Sequence, residues 1–352
     1  MSDDIMIEAL RRQGRACETL GSPFYGALLD RVADDVATGG PSTELLRPWA
    51  DASMRALFDD AVPLRIANAF NHLAQGGEAP DLAAAWPKEG VAADVDAAWR
   101  AARGAIGPHG AELAAFMTHE PQTNEVRRSA ALLGGFLAVA AETGLPLRIF
   151  EIGASAGLNQ FWDRFRYEMG AVTWGDPASP VRIPADWQGG PPPAAEARVV
   201  ERHACDRRPT DLADPVQRRR LLACVWPDQF DRLERSRAAI DLALASGVRV
   251  DAADALDWTR GEVTLRDGAA SVLYHSVFWQ YLPAETQSGL REAIAAIGAS
   301  ATPRAPFAWL RLEPAADDMT AFQVRLTCWP SGVERKLADA HPHGAWIRWL
   351  PG

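Results

Sequence analysis

Leu147–Asn159 reads L-R-I-F-E-I-G-A-S-A-G-L-N, and the rest of the chain takes its order from it. Leu147, Ile149, Phe150, Ile152 and Ala154 make a short, mostly apolar run, the pattern of a strand buried on both faces of a parallel sheet. Pro146 stands just before it, where a strand can begin. The run ends in an acid, Glu151, and then in the small residues Gly153-Ala154-Ser155-Ala156-Gly157. Leu158, Phe161, Trp162 and Phe165 follow at helical spacing. The expectation is strand, glycine turn and a helix to about Tyr167. Glycines there let a ligand approach the backbone, and a helix N-terminus offers free N–H groups. Two chemistries fit. One is a nucleotide-type cofactor lying over the turn, with Glu151 taking a charged or hydroxyl group. The other is a nucleophile elbow, since Gly153–Gly157 is G-x-S-x-G.

Upstream, the chain reads as helices: Ile7–Leu20, Phe24–Ala37, Leu57–Ala74, Val91–Ile106 and Glu112–Phe116, with no convincing strand. The polar run Gln122-Thr123-Asn124-Glu125 precedes a helix over Ser129–Thr143; it either caps that helix or borders a site. Downstream, Gly175–Pro193 is rich in proline and glycine and is expected to be a loop without a fold of its own. Strands are expected at Ala197–Glu201, Val248–Asp251, Ala270–His275, Phe307–Leu312, Gln323–Trp329, Glu334–Ala338 and His341–Trp349. Helices are expected over Asp214–Trp226, Asp228–Ala245 and Ala284–Ile297. Alternating β and α from Leu147 makes a mostly parallel sheet with an antiparallel C-terminal edge. The fold class is therefore α/β, with an all-helical domain over residues 1–128 serving as lid or substrate domain. A cofactor-binding domain spans 129–352 and carries an insertion near 175–193.

The chain has 352 residues and 48% hydrophobic side chains, enough for a sizeable core. With 36 basic against 46 acidic residues the net charge is −10, which argues against a bulk electrostatic grip on nucleic acid. The opening M-S-D-D-I-M-I-E-A-L has no long apolar run, so no leader is expected, and no stretch approaches the roughly 20 apolar residues of a membrane span. Cys17, Cys205, Cys224 and Cys328 are scattered without metal spacing, as in reduced cytoplasmic proteins; no metal is expected.

The order of elements and their end residues resembles the class I methyltransferases that use S-adenosylmethionine. The phrases E-I-G-A-S-A-G-L-N, H-S-V-F-W-Q-Y and H-G-A-W-I-R-W resemble, more narrowly, the bacterial family catalogued as domain of unknown function 2332. The first resemblance implies a Rossmann-like sheet holding S-adenosylmethionine. Glu151, Gly153, Ala154, Ser155, Gly157 and Asn159 would form the turn side of that site. Asp254 and Ala255 would receive the adenine amine, and His275 would sit on the site's floor. The acid for the ribose is displaced by the insertion, leaving Glu201 and Asp206 as candidates. His275, Tyr281 and His119 are candidate bases, with His275 and Tyr281 chosen as catalytic. A small polar acceptor, a carboxylate or hydroxyl, is expected between Gln122, Asn124, Glu125, Arg128 and Trp279. The rival is a serine hydrolase with Ser155 as nucleophile, followed in order by Asp317 or Asp318 and by His341 or His343. The missing upstream strands and the absence of an H-G-G-G segment count against it. A third reading is a binder of S-adenosylmethionine without catalysis.

Overall fold

The computed structural model describes residues 2–315, 318 and 321–350. The chain divides into two compact units, Met1–Thr123 with Ala213–Glu234, and Asn124–Leu212 with Arg235–Gly352.

The first unit is helical. It holds α1 (Ser2–Thr19), α2 (Pro23–Ala37), α3 (Ser42–Leu46), α4 (Met54–Asp59), α5 (Val62–Gly76), α6 (Pro80–Ala85) and α7 (Val95–Met117). In α7, Pro108 lies just before His109, which departs from helical angles between the two expected helical runs. Later in the chain, α9 (Pro215–Ala223) and the start of α10 (Phe230–Ala245) return to this unit. This corrects the division at residue 128. Polar anchors explain the return. The buried Asn71 amide donates to Ala223 O and Val225 O, both at 2.9 Å, and Asp228 accepts from Ser22 Oγ at 2.5 Å and from Phe24 N at 3.0 Å. Ala223 and Trp226 join the apolar cluster of Leu28, Ile66 and Phe70. The helix over 213–226 is legible in sequence, but its destination is not, because a short amphipathic helix does not name the core it will join.

The second unit is built on a nine-stranded sheet. Its strands are β1 (Leu147–Ile152), β5 (Asp186–Gln188), β6 (Val199–Asp206), β7 (Asp251–Ala252), β8 (Ala270–Ser276), β9 (Phe307–Pro314), β10 (Phe322–Trp329), β11 (Val333–Ala340) and β12 (Trp346–Trp349). The order is β5-β12-β11-β10-β9-β8-β1-β6-β7. From β7 through β9 every pairing is parallel; β9 to β12 are antiparallel, and β5 closes the edge parallel to β12. The chain leaves β1 outward to β6 and β7, then returns to β8 on the other side. Strand order therefore reverses at β1, and the crevice beyond its carboxyl end is where open α/β sheets bind ligands. All six β1 residues are buried, as a doubly covered strand requires. Helix α8 (Arg128–Thr143) covers one face; a Cβ on Gly135 would lie 2.3 Å from Leu310, so only glycine allows this approach. Helices α11 (Ala255–Glu262) and α12 (Ala284–Ala299) enclose an apolar cluster that includes Phe150, Ile152, Leu273 and Phe307.

The expected helix after the glycine turn is absent. Leu158–Arg164 is a 3-10 helix, and Arg166–Met169 is already a strand, β2. The two periods overlap here. Phe165, Tyr167 and Met169 are fully buried while Glu168 faces out, so period-two burial takes over from the helical spacing that ends at Phe165. The Pro/Gly-rich passage is also structured. Strand β4 (Arg182–Pro184) pairs with β2, which pairs with β3 (Val172–Trp174), in a small sheet, and β5 joins the main sheet. Val181 and Ile183, both fully buried, supply the apolar anchors. The last strand starts at Trp346 rather than His341, because a turn closed by Gly344 N–H to His341 O at 2.8 Å precedes it.

Candidate functional site

The turn beyond β1 is left-handed at three positions, Gly153 (φ 68°), Ser155 (φ 56°) and Gly157 (φ 74°). For the non-glycine Ser155 that conformation costs on the order of 1 kcal/mol and persists only where neighbours hold it. They do. Ser155 N–H donates to Asp206 Oδ2 at 2.8 Å and Ser155 O accepts from Thr210 N–H at 3.2 Å. Ala154 N–H reaches Cys205 O at 3.0 Å, and Leu158 N–H reaches Asn124 Oδ1 at 2.8 Å. Two polar atoms of the segment remain without a hydrogen-bond partner among the described residues, Ser155 Oγ and Asn159 Oδ1, in side chains 5% and 3% exposed. Buried polar atoms are normally paired, so these two call for a partner.

Carboxyl groups gather at the same strand ends. Glu151 is 3% exposed and accepts from Tyr274 Oη at 3.1 Å. Burial pushes its carboxyl from 4.5 up to about 8; the tyrosine bond opposes that rise and the Asp206 charge adds to it. Asp206 ends β6 and also accepts Arg208 N–H at 2.9 Å. Asp254 is exposed and caps α11, accepting Leu256 N–H at 2.9 Å, while Ala255 turns into the apolar cluster beneath. Glu201 is committed elsewhere. It pairs with Arg148 at 2.6 Å and with Arg266, midway along β6, which leaves Asp206 as the acid at the strand end.

At the end of β8, His275 is fully buried between two partners. Its Nδ1 lies 2.6 Å from Glu313 Oε1, and Trp309 Nε1 lies 3.1 Å from its Nε2. An indole N–H only donates, so Nε2 carries the lone pair and the proton sits on Nδ1, pointing at Glu313. His275 thus has no free nitrogen for a substrate proton, which corrects the catalytic role expected of it. Trp279 stacks on its ring at 5.4 Å and 19°. Tyr281, the other catalytic candidate, is 73% exposed. Glu313 also accepts Phe278 N–H, at 3.0 and 3.2 Å through its two oxygens. Between His275 and Phe278, Val277 has φ 51°, a genuine outlier for a β-branched residue. The Phe278 ring then packs directly over Gly153, where a Cβ would lie 2.2 Å from Cδ2. The ends of β1 and β8 are therefore in contact through one ring.

The polar run before α8 fastens this unit together. Beyond the Asn124 bond to Leu158, Asn159 Nδ2 donates to Glu125 O at 3.4 Å, Glu125 Oε1 accepts Arg127 N–H at 3.0 Å, and Arg128 Nε donates to Pro342 O at 2.9 Å. These bonds tie Asn124, Glu125 and Arg128 to the unit's own backbone; a polar run ahead of a helix looks alike in sequence whether it holds a ligand or its own backbone. Gln122, like His119, belongs to the first unit. For a hydrolase, Ser155 Oγ has no base in reach among the described residues. Asp318 is exposed, Asp317 lies outside the described residues, and His341 Nδ1 accepts His343 N–H at 3.0 Å. Sequence reading assigned no part to Phe278, Val277, Trp309 or Tyr274. Phe278 lies in the quoted H-S-V-F-W-Q-Y phrase, but a left-handed valine leaves no sequence signal.

No helix among the described residues is long and apolar enough to cross a membrane, and no group of three or more metal-ligating side chains gathers among them. A family model described as uncharacterized protein conserved in bacteria, domain of unknown function 2332, matches residues 7–349. No curated protein and no solved structure matches the chain.

Proposed function

The chain belongs to this bacterial family, and from the geometry of its own residues we propose that it binds S-adenosylmethionine at the carboxyl end of β1 and transfers the methyl group to a small carboxylate. The observation that carries the reading is Glu151. A carboxyl buried at a strand end, beside a second acid and with a tyrosine hydroxyl as its donor, has no cation paired with it among the described residues. An α-ammonium group supplies one. Asp206, the acid at the end of β6 that also holds the Ser155 and Arg208 amides, would take ribose hydroxyls. Asp254 would accept the adenine amine. Ser155 Oγ and Asn159 Oδ1, unpartnered and buried, suit the remaining polar groups of such a ligand.

The cofactor supplies a methyl group on a sulfonium centre, open to direct displacement by a nucleophile. Orientation then does much of the work. A hydroxyl acceptor would have to lose a proton to a base. His275 offers no free nitrogen for that, which favours an acceptor already ionised, hence a carboxylate. Calorimetry with S-adenosylmethionine and S-adenosylhomocysteine tests the reading. Binding should release close to one proton near pH 7, read by repeating the titration in buffers of different ionisation heat, because an ammonium group draws Glu151 into its charged form. Glu151→Gln should weaken binding at least tenfold. No heat and no rise in melting temperature at millimolar ligand would remove the proposal.

A second reading has one observation in its favour. A left-handed serine after a central strand is what a nucleophile elbow looks like. Covalent labelling of Ser155 by a fluorophosphonate would decide for the hydrolase.

A further inference from the structure

The ring of Phe278 lies directly against Gly153 in the turn beyond β1. A Cβ built on Gly153 meets Cδ2, Cγ and Cε2 of that ring at 2.2, 2.6 and 2.8 Å. The contact is held from behind. Phe278 N–H is fixed by both oxygens of Glu313, whose Oε1 is also bound to His275 Nδ1. Val277 N–H donates to Leu312 O at 2.9 Å, which pins the preceding residue to β9. Between those two anchors Val277 sits at φ 51°, a conformation that a β-branched residue keeps only under constraint. Ser276, Val277 and Phe278 are all part-exposed, so the segment lies at the rim of the unit and not in its core. A ring over a glycine, strained backbone behind it and a buried carboxyl clamping its amide cover the turn in this structure.

We propose that Phe278 sets the affinity of the β1 turn for its ligand: the ring is a latch over Gly153 that must swing aside for binding, and Glu313 is the positioning residue that holds it closed. The proposal rests on the cofactor reading above. It follows that part of the binding free energy is spent on displacing the ring, and that removing the ring raises affinity. A ring that merely lined the ligand would have the opposite effect, since its loss would weaken binding.

The experiment titrates S-adenosylhomocysteine calorimetrically into the wild type, Phe278→Ala and Phe278→Leu, with thermal melts to establish that each variant is folded. Phe278→Ala should bind at least tenfold more tightly than the wild type, with Phe278→Leu between them. If only Phe278→Ala binds measurably, the latch and the cofactor reading both stand. If the wild type binds and the variants bind equally or more weakly, the latch is overturned and the cofactor reading survives. If no protein binds, both fall. Should neither variant fold, hydrogen exchange on the wild type decides. The Phe278 amide should be protected without ligand and lose protection when S-adenosylhomocysteine is added; unchanged protection on binding would overturn the latch.

Discussion

Two glutamates sit at the carboxyl ends of parallel strands of the sheet, both buried, and they are treated in opposite ways. Glu313, at the end of β9, has a histidine N–H and a backbone N–H on its oxygens. Glu151, at the end of β1, has the Tyr274 hydroxyl, and burial drives its carboxyl up to about 8. A buried carboxyl rich in donors is part of the frame, because its charge is already compensated. A buried carboxyl poor in donors remains costly to ionise until something cationic arrives. On the proposed reading, the difference separates the residue that holds the site's shape from the residue that would meet the ligand.

That contrast breaks most readily at Glu313. Glu313→Ala strips partners from the buried His275 Nδ1–H and from the Phe278 amide, and should cost about 3 kcal/mol in urea denaturation. A loss under 0.5 kcal/mol would make Glu313 incidental to the frame. Glu151 sharpens it through pH. Its folded value is raised above the ordinary 4.5, so the folded state holds its proton more tightly than the unfolded chain. The resulting stability is fully present below pH 4.5 and is lost as pH rises to about 8. In the absence of ligand, Glu151→Gln should therefore gain on the wild type by about 4 kcal/mol between pH 5 and pH 9, measured as the difference between their denaturation midpoints times slope. Parallel pH profiles for the two proteins would contradict the charge argument.

The loop beside Glu313 allows a smaller test. Val277→Gly removes the penalty of a β-branched residue at φ 51° and should stabilise the protein by about 1 kcal/mol, raising the melting temperature by a few degrees. Destabilisation instead would mean that the valine side chain contributes more by packing than its backbone loses. Smallest of all is Ser155→Ala. Its Oγ has no partner among the described residues and alanine tolerates the turn equally, so stability should move by under about 0.5 kcal/mol. If the proposed methyl transfer occurs it should survive the change, and the wild-type serine should not react with a fluorophosphonate.

Much of the second unit was readable in advance because its signals are local. The run Leu147–Ile152 is apolar at nearly every position and reads as a doubly buried strand, which it is. The antiparallel edge was likewise visible in the alternation of Gln323–Trp329. The 3-10 helix at Leu158–Arg164 was not, because four aromatic or aliphatic residues match a helical period until Tyr167 and Met169 extend a strand period through the same place. Among the site residues, the acids at strand ends were found by position. The engagement of His275 was not, since Glu313 and Trp309 lie 38 and 34 residues further along the chain.

The sequence by itself determined most of the helices and strands, the parallel sheet centred on β1, the glycine turn after it, and the acids that the strands deliver to its end. Periodicity, turn residues and strand-end acids are properties of neighbours along the chain, so they are written there. Tertiary structure alone decided what each acid experiences. It brought Tyr274 and Asp206 to Glu151, gave Glu313 to His275 and Phe278, and laid a phenylalanine ring on Gly153. Protonation, tautomer and access depend on which groups lie within a few ångströms in space, and folding sets those distances between residues far apart in the chain.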